Sequence, residues 1–285
     1  MNSAADSSQI SELLKSTLRD IGIPPRPAIL DRISVEMRKE DPNLKQLAVV
    51  IGSDVGLAAG LISLANSPYF GFRGRVRSVN GALMTLGLSV TSRAIAGLVF
   101  RQMFPVTPLL TRFWDASANI ARLSGWLAQH LNGINTHAED AYTFGLFRDC
   151  GIAVMIKRFH DYPALLKKAN EESRLAFTAI EETAYPTNHA VVGCLLAQGW
   201  WLPEEICLAI RHHHEYPPVG QQNPTVLNMI AIAQVAEHLF QHHTGLSETR
   251  EWEKASAFCL GQLGLDPEKL VQLYEASATV ATTEE

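Results

Sequence analysis

Phe144-Gly-Leu-Phe-Arg-Asp-Cys-Gly151 carries an acid, Asp149, between two glycines and inside an otherwise apolar helical pattern. A carboxylate buried in such a pattern is costly unless something pairs with it. The chain offers three kinds of partner: the adjacent Arg148, a metal ion, or histidines much further along, His189 and the run His212-His213-His214. Which of these Asp149 uses separates an enzyme from a non-catalytic module.

Outward from this stretch the apolar residues keep a helical period. Ile10, Leu13, Leu14 and Leu18 share one face of a first helix, closed by Gly22 and Pro24-Pro25. A second helix begins near Pro27 with Ile29, Leu30, Ile33 and Met37 inward, and Asp41-Pro42 reads as the cap and first-turn proline of a third. Ser53-Asp54 caps a fourth helix that Asn66-Ser67-Pro68 stops, with Asn66 and Ser67 satisfying free carbonyls. Ser78 caps the next, Gly87 breaks it, and a longer apolar helix runs on to Phe104. Beyond Pro105 and Pro108, helices are expected over 109–131, 138–160, 163–170, 177–183, 187–198, 202–214, 225–242, 251–263 and 267–276, with 277–285 frayed. Alternating period-two patterns are almost absent. The expected fold class is all-α, with an N-terminal helical lobe over 1–105 and a second helical lobe over 106–285.

The 285 residues are 47% hydrophobic, enough for a large core without staples. With 24 Lys+Arg against 29 Asp+Glu there is no basic field to draw a phosphate backbone or an anionic membrane, so nucleic acid is not an expected partner. Cys150, Cys194, Cys207 and Cys259 are far apart and form no CxxC, and they read as small buried hydrophobes in a reducing cytoplasm. The N-terminus lacks the basic and apolar regions of a signal peptide. Uninterrupted apolar runs such as Leu47-Ala-Val-Val-Ile51 fall short of the roughly 18 to 20 residues of a membrane span. A soluble, cytoplasmic protein is expected.

Leu61-Ile-Ser-Leu-Ala-Asn-Ser-Pro-Tyr-Phe-Gly71, followed by Ser78-Val79, Ala82-Leu83 and Leu86-Gly87, resembles the signature of the HDOD domain, an output-type relative of the HD phosphohydrolase superfamily in bacterial signalling proteins. Pro24-Pro25, Phe113-Trp114, Gly145-Leu146, His189 to Gly193, and Trp200 to Pro203 leading into the histidine run fit the same pattern. The resemblance covers about residues 20 to 245 and implies an HD-like second lobe.

It also implies a ligand set to look for, because the superfamily holds one or two metal ions with scattered histidines, a His-Asp pair and a late Asp. Carried over by position, the first histidine falls near Ala116, the His of the pair is Arg148, its Asp survives as Asp149, and the late Asp falls at Gln234. His189 matches the next histidine, and His213 or His214 the one after. A guanidinium is always protonated and repels a cation, so Arg148 is expected to bond Asp149 or another nearby carboxylate. The resemblance thus implies a degenerate centre. Either the cluster is a polar tie between helices with no cofactor, or Asp149, His189 and His213 or His214 keep one divalent transition metal.

Adjacent helix positions point about 100 degrees apart, so at most one or two of His212, His213 and His214 face a given site. Trp200-Trp201 and Tyr69-Phe70 are core or inter-lobe packing before they are a partner patch. Nothing resembles a catalytic triad or a phosphate loop. The resemblance implies a non-catalytic regulatory module of bacterial signal transduction that binds a signalling protein partner or a small ligand. The alternative is a metal-dependent phosphohydrolase acting on a nucleotide or cyclic dinucleotide. If Arg148 has become an anion-binding group, the old metal pocket would accept a phosphate-bearing ligand.

Overall fold

A computed structural model describes residues 21–70, 75–218, 220, 222–245 and 249–281, and every regular element among them is helical. The helix expected from Ile10 to Leu18 lies outside the described residues.

The N-terminal part contains α1 (Ala28–Met37), α2 (Leu44–Gly52), α3 (Val55–Ala65), a 3-10 turn at Pro68–Phe70 and α4 (Val79–Gln102). Side chains cap three of them: Asn43 accepts from Gln46 N at 3.0 Å, Asp54 from Leu57 N at 3.0 Å and Ser78 from Gly81 N at 3.1 Å. The cap of α2 is therefore Asn43, two residues past the expected Asp41. Leu30, Ile33, Leu47, Ile51, Leu57 and Leu61 are buried in one core with Leu83 and Ile95 of α4. Met37, expected inward, is exposed, and Glu36 is buried in its place. Its carboxylate accepts from Asn43 N at 2.5 Å and from Lys39 Nζ at 2.6 Å, which offsets the burial. Asn66 does more than finish α3. Its amide donates to Ile62 O and Val76 O and accepts from Val76 N, clasping the loop to the helix end.

α4 is long and apolar enough, by length and composition, to cross a membrane. It is a core helix instead, since half of its apolar window is buried, and Gly87 (φ 73°, ψ 170°) breaks it into segments 79–86 and 88–102. Neither segment reaches the roughly 20 residues of a span. Only glycine adopts that backbone cheaply.

The second part contains α5 (Pro108–His130), α6 (Ala138–Phe147), α7 (Cys150–Arg158), α8 (Tyr162–Glu171), α9 (Phe177–Glu182), α10 (His189–Gly199), α11 (Glu204–His212), α12 (Pro224–Thr244), α13 (Glu251–Leu263) and α14 (Pro267–Ala281). Three expectations change here. The helix read over 138–160 is two helices, because Asp149 (φ −101°, ψ 11°) leaves helical geometry between α6 and α7. The helix read to His214 ends at His212. The stretch from 277, expected to fray, stays helical to Ala281, where the fully buried Ser277 donates to Tyr274 O.

One hydrophobic cluster runs from Ile21 to Ala233, on both sides of Pro105, and a second joins α5, α12, α13 and α14. Each fully buried Leu, Ile or Phe in them contributes about 1.5 to 3 kcal/mol. Two glycines of the opening stretch set the closest helix contacts. A Cβ on Gly145 would stand 2.9 Å from Ala121 Cα, and one on Gly151 would stand 2.0 Å from the His189 carbonyl oxygen and 2.8 Å from Gly193 N. These absent side chains bring α6 against α5 and α7 against α10.

Candidate metal centre

The Gly151–Gly193 approach places the start of α7 beside the start of α10, and so Asp149 beside His189. Asn188 caps α10 by accepting from Val191 N at 2.9 Å, which leaves His189 as the first residue of the helix. At the end of α11, His213 closes the turn by donating from Nδ1 to Ile210 O at 2.7 Å. His214 follows it inward.

The four side chains converge. His189 Nε2 lies 3.2 Å from His213 Nε2 and 3.1 Å from His214 Nε2. Asp149 Oδ1 lies 3.1 Å from His213 Nε2 and 3.6 Å from His189 Nε2. The other ring nitrogens point outward to acceptors: His189 Nδ1 to Glu181 Oε2, and His214 Nδ1 to Glu251 Oε1, both at 2.7 Å. Because a carboxylate or carbonyl only accepts, all three Nδ1 atoms carry a proton, and each ring turns its Nε2 to the centre. Phe177 walls one side, stacked on His214 and edge-on to His189. The three histidines are buried and Asp149 is mostly so.

Three lone pairs and a carboxylate oxygen at such distances repel unless protons or a cation lie among them. A tetrahedral ion with bonds of about 2.05 Å sets its donors about 3.3 Å apart, close to these four separations, and all four donor atoms lie within 4.8 Å of one another. The charges around the cluster agree. Asp149, Glu181, Glu237 and Glu251 face two cations, Arg148 and Lys254, which leaves two negative charges for a divalent ion to balance. Outward Nδ1 bonds to carboxylates are also what orient histidine ligands in metal sites. The residues fit one divalent transition metal, which Asp149, His189, His213 and His214 would hold.

The titration behaviour follows from the same contacts. Burial would raise the Asp149 carboxyl, but Arg148, then His213 and His189, hold it well below the usual carboxylate range. Burial would lower His189, but Glu181 and Asp149 raise it above its ordinary value. Burial and the neighbouring His213 lower His214 to about 4 despite Glu251. Burial would also raise Glu251, which His214 and Lys254 hold at about 2.

Of the positions singled out in the sequence, Asp149, His189, His213 and His214 meet at one point, and His212 turns away to Glu215 at 3.0 Å. Arg148 and Gln234 stand beside the cluster and are tied together. Glu237 Oε2 accepts from Arg148 Nη2 at 2.6 Å and from Gln234 Nε2 at 3.0 Å. Arg148 also donates to Asp149 Oδ2 at 2.9 Å and to Ala233 O at 3.3 Å. Ala116 packs instead with the Ile120 cluster. Sequence reasoning missed the outer carboxylates Glu181, Glu237 and Glu251. Their one signal was an acid at a helical position among buried apolar neighbours, such as Glu181 beside Phe177 and Ile180.

The family model of the HDOD domain matches residues 23–216. The chain belongs to the HDOD domain family. An HDOD domain protein from Geobacter sulfurreducens has a similar structure, with a TM-score of 0.64 at 22% identity over 93% of this chain and 96% of that one. A candidate phosphohydrolase from Shewanella amazonensis SB2B gives 0.68 at 18% identity over 93% and 94%. A candidate signal transduction protein from Marinobacter aquaeolei VT8 gives 0.64 at 23% over 99% and 67%. At these identities the likenesses establish a shared HDOD fold. An uncharacterized protein of Treponema pallidum (strain Nichols) is 25% identical over 218 residues, which is 75% of this chain, and the chain spans 42% of that relative's length.

Proposed function

We propose that this HDOD domain is a non-catalytic regulatory module of signal transduction, built around one divalent transition metal that acts as a fixed staple. The carrying observation is the convergence of three histidine Nε2 atoms and Asp149 Oδ1, with each Nδ1 already bonded outward. When bound, the ion would tie the α6–α7 junction, the start of α10 and the end of α11 into one unit. Asp149, His189, His213 and His214 would supply four protein donors to such an ion. A second ion is opposed by Arg148, whose guanidinium is pinned between Asp149 and Glu237 where the family resemblance would put a further ligand.

The module would then act by binding. The Marinobacter relative's description supports a signalling role, a net charge of −5 argues against a nucleic-acid partner, and four buried free thiols fit the cytoplasm. The test is to load the protein with zinc, manganese or nickel and follow hydrolysis of bis(p-nitrophenyl) phosphate and cyclic dinucleotides. Product formation no faster than with the free ion is expected. Turnover that disappears in Asp149→Ala would restore the phosphohydrolase reading.

A further inference from the structure

α12 carries a further pair of histidines, outside the cluster around Asp149. His238 and His242 lie four positions apart, which sets them one turn apart on one face of the helix. Their rings meet nearly at right angles, with centroids 5.3 Å apart and planes at 82°. The converging rings of the buried centre have the same relationship: His189 and His214 stand at 4.9 Å and 81°, His189 and His213 at 5.1 Å and 68°. Two imidazoles bound to one ion at about 2.05 Å and a tetrahedral angle place their ring centres about 5.2 Å apart.

Neither ring of the pair has a hydrogen bond or an ion pair among the described residues. The half-buried His238 lies flat on Trp252 of α13, with centroids 4.1 Å apart, and the exposed His242 stands edge-on to Tyr274 of α14 at 5.4 Å. Stacking uses the face of a ring, whereas a ligand bond uses a nitrogen on its edge. Burial, and then His242, lowers His238 to about 4, so at neutral pH its ring is uncharged and holds a lone pair. The adjacent His243 is committed elsewhere. Its ring stacks on Tyr274 at 4.2 Å and its Nε2 lies 3.0 Å from Ser277 Oγ.

We propose that His238 and His242 form a second transition-metal site, a two-imidazole chelate that takes copper(II) ahead of nickel(II) and zinc(II), with water in the remaining positions. Imidazoles suit these ions, and calcium or magnesium would require oxygen donors. Two histidines at this spacing are a known way for a helix to present ligands to one ion. Among the described residues no other His, Cys, Asp or Glu joins the pair in a group of three donors. With two protein donors against four, the site gives up its ion on dialysis where the buried centre keeps it.

The experiment titrates untagged, zinc-loaded and dialysed protein with copper(II) glycinate and follows tryptophan fluorescence. Copper(II) quenches a nearby indole, and Trp252 lies against one of the two ligand rings. One saturable quenching step is expected, with the paramagnetic resonance signature of two nitrogen ligands. His242→Ala, at an exposed position, should move the midpoint about tenfold or more to higher copper. His243→Ala should leave it in place. Trp252→Phe should remove most of the quenching while copper uptake persists in equilibrium dialysis. The Asp149→Ala, His189→Ala double variant, in which copper cannot use the buried centre, should repeat the wild-type midpoint. If that variant loses its helical circular dichroism, His242→Ala in the zinc-loaded protein still decides. No saturable uptake, an unchanged midpoint in His242→Ala, an equal shift in His243→Ala, or undiminished quenching in Trp252→Phe would each overturn the assignment.

Discussion

The Nε2 atoms of His189 and His214 face one another at 3.1 Å, while Glu181 and Glu251 hold the opposite nitrogens of the two rings at 2.7 Å. The carboxylates hold a proton on Nδ1 of each ring and aim both Nε2 atoms at one point. Glu181 is itself held by the Tyr162 hydroxyl and by the His189 backbone N–H. Glu181→Gln and Glu251→Gln are expected to lower the affinity for a divalent ion about 10- to 100-fold each while leaving the four donors in place. Competition titration with a chromophoric chelator measures this, and wild-type affinity in both variants would show that the outer carboxylates do not orient the rings.

Arg148 stands between Asp149 and Glu237, buried, with burial that would lower its pKa outweighed by the two carboxylates, which raise it. Removing the guanidinium strands two carboxylates in a nearly closed space. Arg148→Met is expected to cost about 3 to 5 kcal/mol in urea unfolding, with Arg148→Lys recovering only part of it because an ammonium cannot span both acceptors with the same fork. A loss below about 1 kcal/mol would mean that the pair contributes no more than a surface salt bridge.

Gly151 lets α7 touch α10, since its missing Cβ would lie 2.0 Å from the His189 carbonyl oxygen. That neighbour is backbone and cannot rotate away. Gly151→Ala is expected to cost about 2 to 3 kcal/mol and to weaken metal binding together with stability, because the same contact sets His189 against Asp149. Gly199→Ala, with nothing within 4 Å, serves as the control and should leave both unchanged. Equal melting temperatures for the two variants would contradict the packing described for α7 and α10.

Burial, and then the nearby His242, lowers His238 to about 4, and its ring stacks on Trp252 at 4.1 Å. The folded pKa is below the unfolded value of about 6.5, so the unfolded chain takes up the proton first. This contribution to stability is complete above about pH 6.5 and is lost as the pH falls toward 4. Between pH 7 and pH 5 the wild type should lose about 1 kcal/mol more than His238→Gln, discounted for the partial exposure of the ring. Parallel urea curves for the two proteins at both pH values would exclude the effect.

Much of this organisation was legible in the sequence, and the reasons are local. Asp54 and Ser78 cap their helices because a short polar side chain before an apolar run has few other uses, and Gly87 breaks α4 because its backbone is open only to glycine. Asp149, His189, His213 and His214 could be named by family position, and they meet in space. What the sequence concealed is set by distant packing. The break at Asp149 falls within an apolar helical pattern beside Arg148, which reaches Ala233 and Glu237 across the domain, and no nearby residue announces it. The pairing of His214 with Glu251 likewise joins residues that only the fold brings together. His213 and His214 both face inward because the helix ends at His212, so the rule of 100 degrees per residue stops applying there.

The metal content of protein purified without an affinity tag or chelator, read by elemental mass spectrometry beside an Asp149→Ala, His189→Ala double variant, tests the central claim most directly. About one divalent transition-metal ion per chain in the wild type and none in the variant is the expected result. A wild type that carries no metal, and takes up none when zinc, manganese, iron and nickel are offered in excess, would contradict it and leave the cluster as a protonated tie between helices.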